Sequence, residues 1–233
     1  MFPFDIPKTY SEMLNKIGIC AFAVALICTI IAGHSSAEID RALHFAKDAK
    51  VNLGVVQLDG LPLGYVLIPA VIAFISRFLK LHDRLSDLFG IRSAYDVEYI
   101  LAPLAKGVGA NVDSTLRRKL TVNRDSLMYD IFYPYAGYAK PQIDENIVLQ
   151  TLDSLTWFWI LVEATFLVIS TVIVLFLAKR PVVSVTLICV STVLFFVSYA
   201  LYRVCVLNTA AEVREILKDP ARVQVIRGKI DAL

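Results

Sequence analysis

Histidine and cysteine are scarce, at three and four residues among 233. The chain has no CxxC pair, no HExxH and no glycine-rich loop ending in Lys-Ser or Lys-Thr; Gly107-Val108-Gly109 lacks that continuation. These gaps exclude the usual zinc sites, the zinc-protease helix and the P-loop nucleotide site. His82 with Asp83 and Asp87 has no second histidine at ligand spacing, and His34 and His44 stand ten residues apart. No metal and no cofactor is therefore expected, and His82-Asp83-Arg84 with Asp87 reads as a solvated helix face. Cys20, Cys28, Cys189 and Cys205 all fall within or at the end of apolar runs, as small packing residues do, and form no secreted disulfide framework. The acids Asp96, Glu98, Asp144, Glu145 and Asp153 have no nucleophile or substrate pocket specified beside them, and they read as caps and solvated faces. The sequence is expected not to encode an enzyme.

Charge is also sparse, with 19% Asp, Glu, Lys and Arg and a net charge of +2. A nucleic-acid binder would carry a dominant basic face, so no direct nucleic-acid binding is expected. The chain is rich in apolar residues, at 57%, with a mean hydropathy of +0.64. They concentrate in Ile17–Gly33, Leu61–Leu79, Trp157–Ala178 and Pro181–Val204. Each run approaches the length needed to cross a hydrocarbon core of about 30 Å at 1.5 Å per residue. The first run exceeds a signal-peptide core and follows mixed charges, Asp5 and Glu12 against Lys8 and Lys16, so it reads as a retained span. The fold class expected is all-α: a polytopic membrane protein with four transmembrane helices and a small cytosolic helical subdomain.

Residues 1–33 hold the N-terminal segment and the first span, and 34–60 an outer loop with one short helix. Residues 61–90 read as the second span with a cytosolic extension, one helix kinked at Pro69, where the ring removes a backbone donor. Residues 91–140 read as the cytosolic subdomain, in which Asp113 or Ser114 and then Asn123 are capping candidates. From Pro141 to Ala178 no further proline or glycine intervenes, which predicts a stalk running into span three as one helix of about 57 Å. Residues 181–204 form span four, and 205–233 cytosolic C-terminal helices divided at Pro220. Lysine and arginine near the span ends favour both termini inside, with Lys179-Arg180 as the local exception.

Glu163 is the sharpest candidate for chemistry, being a carboxylate about two turns inside span three. An ionisable group at that depth must face protein or water. Arg77 and Arg203 are the expected partners, and with Glu163 they form the intramembrane polar set. Tyr129, Phe132, Tyr133, Tyr135 and Tyr138 cluster around Pro134 and present a candidate partner surface, because exposed tyrosines favour interfaces.

The stretches Leu81–Leu101 and Asn123–Glu163 resemble uncharacterised small bacterial four-pass membrane proteins, a layout that occurs among membrane components of antiphage defence systems. The resemblance implies a bacterial inner (cell) membrane setting and transfers no site residue. The function expected is a homo-oligomeric membrane protein, with the lipid bilayer and a cytosolic protein as partners. It would sense or transmit a membrane state, or perturb the bilayer as a pore, in antiviral defence. The alternative is a constitutive small-ion channel or transporter.

Overall fold

The computed structural model describes residues 5–44, 62–137 and 140–233, and these are helical throughout apart from short turns. The helices, in order, are α1 (Tyr10–Ser35), α2 (Ala37–Leu43), α3 (Leu63–Phe78), α4 (Leu81–Phe89), α5 (Ile91–Tyr95), α6 (Ala102–Gly107), α7 (Ser114–Val122), α8 (Arg124–Leu127), α9 (Tyr133–Ala136), α10 (Glu145–Leu177), α11 (Pro181–Leu217) and α12 (Pro220–Asp231). Two π-helical stretches, Asp96–Leu101 and Met128–Phe132, join α5 to α6 and α8 to α9. Three helices, α1, α10 and α11, are long and apolar enough to cross a bilayer, and the pair α3–α4, bent by 65°, makes a fourth if the two are one span. This is an all-α, multi-pass membrane protein.

The helices fall into two compact units. The first takes in residues 14–82 and 156–200, where α1, α10 and α11 close around Cys28, Ala32, Val168, Leu175 and Leu187. The buried positions on α1 include Ala21, Ala25, Cys28 and Ala32. This i, i+4, i+7, i+11 stripe of small residues lets backbones approach closely where lipid supplies no hydrophobic drive. Gly33 continues the contact: a Cβ there would lie 1.9 Å from the Tyr65 hydroxyl. That hydroxyl donates to Asp40 Oδ1 at 2.6 Å, tying α3 to α2. Large apolar side chains point outward, Phe176 at 69% and Phe196 at 64% exposure, as lipid-facing residues do.

The second unit takes in residues 83–155 and 201–233, with the N-terminal stretch through Met13. Leu101, Leu104, Leu120, Ile131, Ile216 and Ile226 are fully buried in it. Asp113 caps α7, its Oδ1 accepting from Leu116 N at 2.7 Å. Asn123 makes no such cap, and its amide donates instead to Lys119 O. Arg227 reaches Val108 O at 3.1 Å and Lys229 pairs with Asp130 at 2.7 Å, fastening α12 across the unit.

Three sequence expectations change. The second span is not one helix through residue 89: it breaks at Leu79-Lys80 and bends by 65°. Lys80 takes φ +50 there, a left-handed conformation. Pro69 lies within unbroken helix, so the sharp bend comes from the positive φ and not from the proline ring. The stalk begins at Glu145, since Asp144 ends the preceding turn by accepting from Asn146 N through its side chain. The helix that carries span four does not stop at Val204 but runs on to Leu217, because no breaker precedes Asp219-Pro220.

Candidate functional site

Glu163 is the most deeply buried carboxylate of the first unit, and Ser76 and His82 gather on it. Its side chain is 1% exposed. Ser76, on the last turn of α3, donates its hydroxyl to Glu163 Oε2 at 2.6 Å. His82, on the first turn of α4, brings Nδ1 to 3.6 Å from Oε1 and is 2% exposed. Among the described residues Oε1 accepts no hydrogen bond. The Trp159 ring lies 5.8 Å from the imidazole and walls this side of the pair. On α1, Lys16 is 1% exposed with its Nζ 4.4 Å from the Trp157 ring centroid, a cation–π contact.

Carboxylate and imidazole at this separation can hold one proton between them, either as neutral acid with neutral imidazole or as an ion pair. Both states carry no net charge, which a buried site requires. Removing one partner leaves the other uncompensated, at a typical cost of about 3–5 kcal/mol. Ser76 fixes one carboxylate lone pair and leaves Oε1 toward His82. Among the described residues no group of three or more His, Cys, Asp or Glu could hold a metal ion.

The structure redistributes the sequence candidates. Glu163 is buried as expected, but its partners are Ser76 and His82, not Arg77 or Arg203. Arg77 packs its guanidinium over the Phe78 ring at 5.1 Å and its Cβ against Gly18. Arg203 is exposed on α11. His82 leaves the solvated face expected for it because the break at Lys80 resets the helical register: His82, Leu85 and Ser86 turn inward, while Leu88 and Phe89 turn out. The aromatic set divides likewise. Tyr129 (75%) and Tyr133 (40%) are exposed, whereas Phe132 and Tyr135 are buried, because one helical segment cannot present all its faces to a partner. Tyr138 lies outside the described residues.

Sequence reasoning passed over Ser76 beside Glu163 and the burial of Lys16 and Glu212, and it read His82 and Asp96 as solvated or capping residues, which the structure buries. Asp96 sits between Arg124 Nη1 (3.6 Å) and Arg92 Nε (4.0 Å) at the start of a π-helical stretch. Burial pushes its carboxyl up to about 6, although both guanidinium groups pull it down. Glu212 is 3% exposed on α11. It has a legible signal: Ser184, Ser191, Ser198, Cys205 and Glu212 recur every seven residues, and all five are buried.

A family model described as the YmfE protein family matches residues 9–227. The chain belongs to the YmfE family. One relative is "Uncharacterized protein YmfE" of Escherichia coli (strain K12), 24% identical over 186 residues, covering 76% of this chain and 74% of that protein. The match runs through both units and all the long helices of this family member. It bears out a bacterial relationship and carries no indication of antiphage defence. No solved structure matches the chain.

Proposed function

We propose that this YmfE-family protein is a non-enzymatic, oligomeric inner-membrane protein whose Glu163–His82 pair couples proton binding to the packing of its spans. The observation that supports this reading is a carboxylate and an imidazole, each at most 2% exposed, 3.6 Å apart on α10 and α4. Loss of the proton that the pair holds leaves a carboxylate beside a neutral imidazole, so proton occupancy sets the net charge at the α10–α4 contact. A change in local pH or in membrane potential thereby acts on a helix junction. A cytosolic protein partner reads out that change, or the assembly answers it by perturbing the bilayer. Antiphage defence, the setting in which small four-pass membrane proteins of this layout occur, is tested by plating phage on cells that express the protein.

The deciding measurement uses Trp159 as reporter, since protonated imidazole quenches a neighbouring indole and the two rings are 5.8 Å apart. In a Trp157→Phe background reconstituted in liposomes, Trp159 fluorescence should titrate with His82. Glu163→Gln should change the pH response of that emission, because the imidazole then loses the carboxylate beside it. An unchanged response removes Glu163 from the mechanism. Steady proton flux through the unstimulated protein would replace coupling with the constitutive channel or transporter.

A further inference from the structure

A groove of about 350 Å³ opens on the second unit between α6 and the C-terminal half of α11. Pro103, Val206, Ala210, Val213 and Leu217 give it an apolar lining, with Tyr99 at one side. Close approach of the two helices builds its floor: a Cβ on Gly107 would come 2.3 Å from Leu217 Cδ1. Its polar lining is cationic. Lys106 and Arg214 stand at the edge, both exposed, and neither pairs with a carboxylate among the described residues. Arg214 Nε donates to Ala210 O at 3.1 Å, which steadies the side chain and leaves its terminal nitrogens available. No acid lines the groove. Arg203, Leu207, Ala210 and Arg214 follow an i, i+4, i+7, i+11 spacing, so a further exposed cation and a 65%-exposed leucine extend the same helix face.

We propose that this groove binds one anionic phospholipid, with an acyl chain along the Val206–Val213 face and the phosphate between Lys106 and Arg214. The charge fits: an apolar trough edged only by cations complements an amphiphile with an anionic head. Position along α11 fits as well. Val206 comes two residues after the apolar run ends at Val204, about 3 Å along the helix axis and thus within the headgroup layer. Lys106 and Arg214 can extend their stems over the apolar lining and place their charges at phosphate. A peptide in the same trough would find few partners for its backbone groups, since the lining offers almost only carbon and cations. The site is independent of the Glu163–His82 pair.

The test is native mass spectrometry of the full-length protein in detergent, titrated with phosphatidylglycerol, phosphatidylcholine of the same chains, or oleate. Wild type should retain phosphatidylglycerol in preference to phosphatidylcholine. Lys106→Glu with Arg214→Glu should lower phosphatidylglycerol retention about 30-fold, the loss expected for two cation–headgroup contacts. Arg118→Glu, exposed and outside the groove, should leave retention unchanged. Ala210→Trp, which fills the trough, should remove lipid adducts altogether; both groove variants are checked for helicity by circular dichroism. Equal retention of the two phospholipids by wild type, or undiminished binding by the charge-reversed protein, overturns the proposal. Oleate displacing phosphatidylglycerol at equal concentration also overturns it, in favour of a free fatty acid. A change in oligomer mass with lipid retention intact assigns the groove to a second copy of the chain instead.

Discussion

Burial of single charges is the recurring expense in this protein, and Asp96 is where it becomes measurable outside the membrane. Its side chain is 9% exposed, with guanidinium groups at 3.6 and 4.0 Å. Those distances are too long for strong hydrogen bonds, so desolvation wins and the carboxyl rises to about 6. The folded state thus binds a proton more tightly than the unfolded chain. The stabilisation is complete below the unfolded value near 3.8 and is lost as pH rises through about 6. The difference is on the order of 3 kcal/mol between pH 4 and pH 7. Asp96→Asn should flatten the thermal midpoint across that window, while wild type should lose stability toward pH 7. The sequence could not disclose this, because nothing in the order of residues 92–125 says that two arginines converge on one acid from different helices. Glu163 was legible as a residue, since its depth within an apolar run is a one-dimensional fact. Its partners were not, because Ser76 and His82 reach it only through the fold.

Helices follow local chemistry, and their existence was largely legible for that reason. An uninterrupted stretch without proline or glycine became the 33-residue α10, and an Asp-Pro boundary started α12 with Asp219 accepting from Ala221 N at 2.9 Å. The register after a break is different in kind. Lys80 carries no residue-level mark of its φ of +50, yet that one torsion decides that His82 faces Glu163 and Phe89 faces out. A non-glycine residue in this conformation costs about 1 kcal/mol. Lys80→Gly should therefore leave the fold intact and raise stability in detergent by up to about 1 kcal/mol, whereas Lys80→Val should lower it. Chemical denaturation of the two variants followed by helical circular dichroism checks the sign. The π-helical stretches were equally illegible: Asp96–Leu101 and Met128–Phe132 have ordinary helical composition, and only packing explains the widened turn.

At the scale of the molecule, composition spoke plainly. Apolar runs with outward-facing phenylalanine and valine make a multi-pass membrane protein, and α10 and α11 both exceed the length of a bilayer crossing. Orientation rests on the distribution of lysine and arginine, with both termini expected inside. Replacing Cys20, Cys28, Cys189 and Cys205 by Ala and then introducing Glu38→Cys, Arg118→Cys or Lys218→Cys tests it. A membrane-impermeant maleimide on intact cells should label only the first, and the other two after permeabilisation. Labelling of Arg118→Cys in intact cells would invert the whole arrangement. The E. coli relative, at 24% identity over 186 residues, offers a second chain on which the same accessibility pattern should repeat.

The seven-residue recurrence of Ser184, Ser191, Ser198, Cys205 and Glu212 has a consequence for how this protein can change in length. Inserting one residue near Leu194 would rotate everything downstream by about 100°, turning Ser198, Cys205 and Glu212 out of their buried positions together. Inserting seven would rotate the downstream segment by only about 20° from its starting phase, a mismatch that slight supercoiling absorbs. Length variation in α11 is therefore quantised, and relatives that differ there should differ by whole heptads.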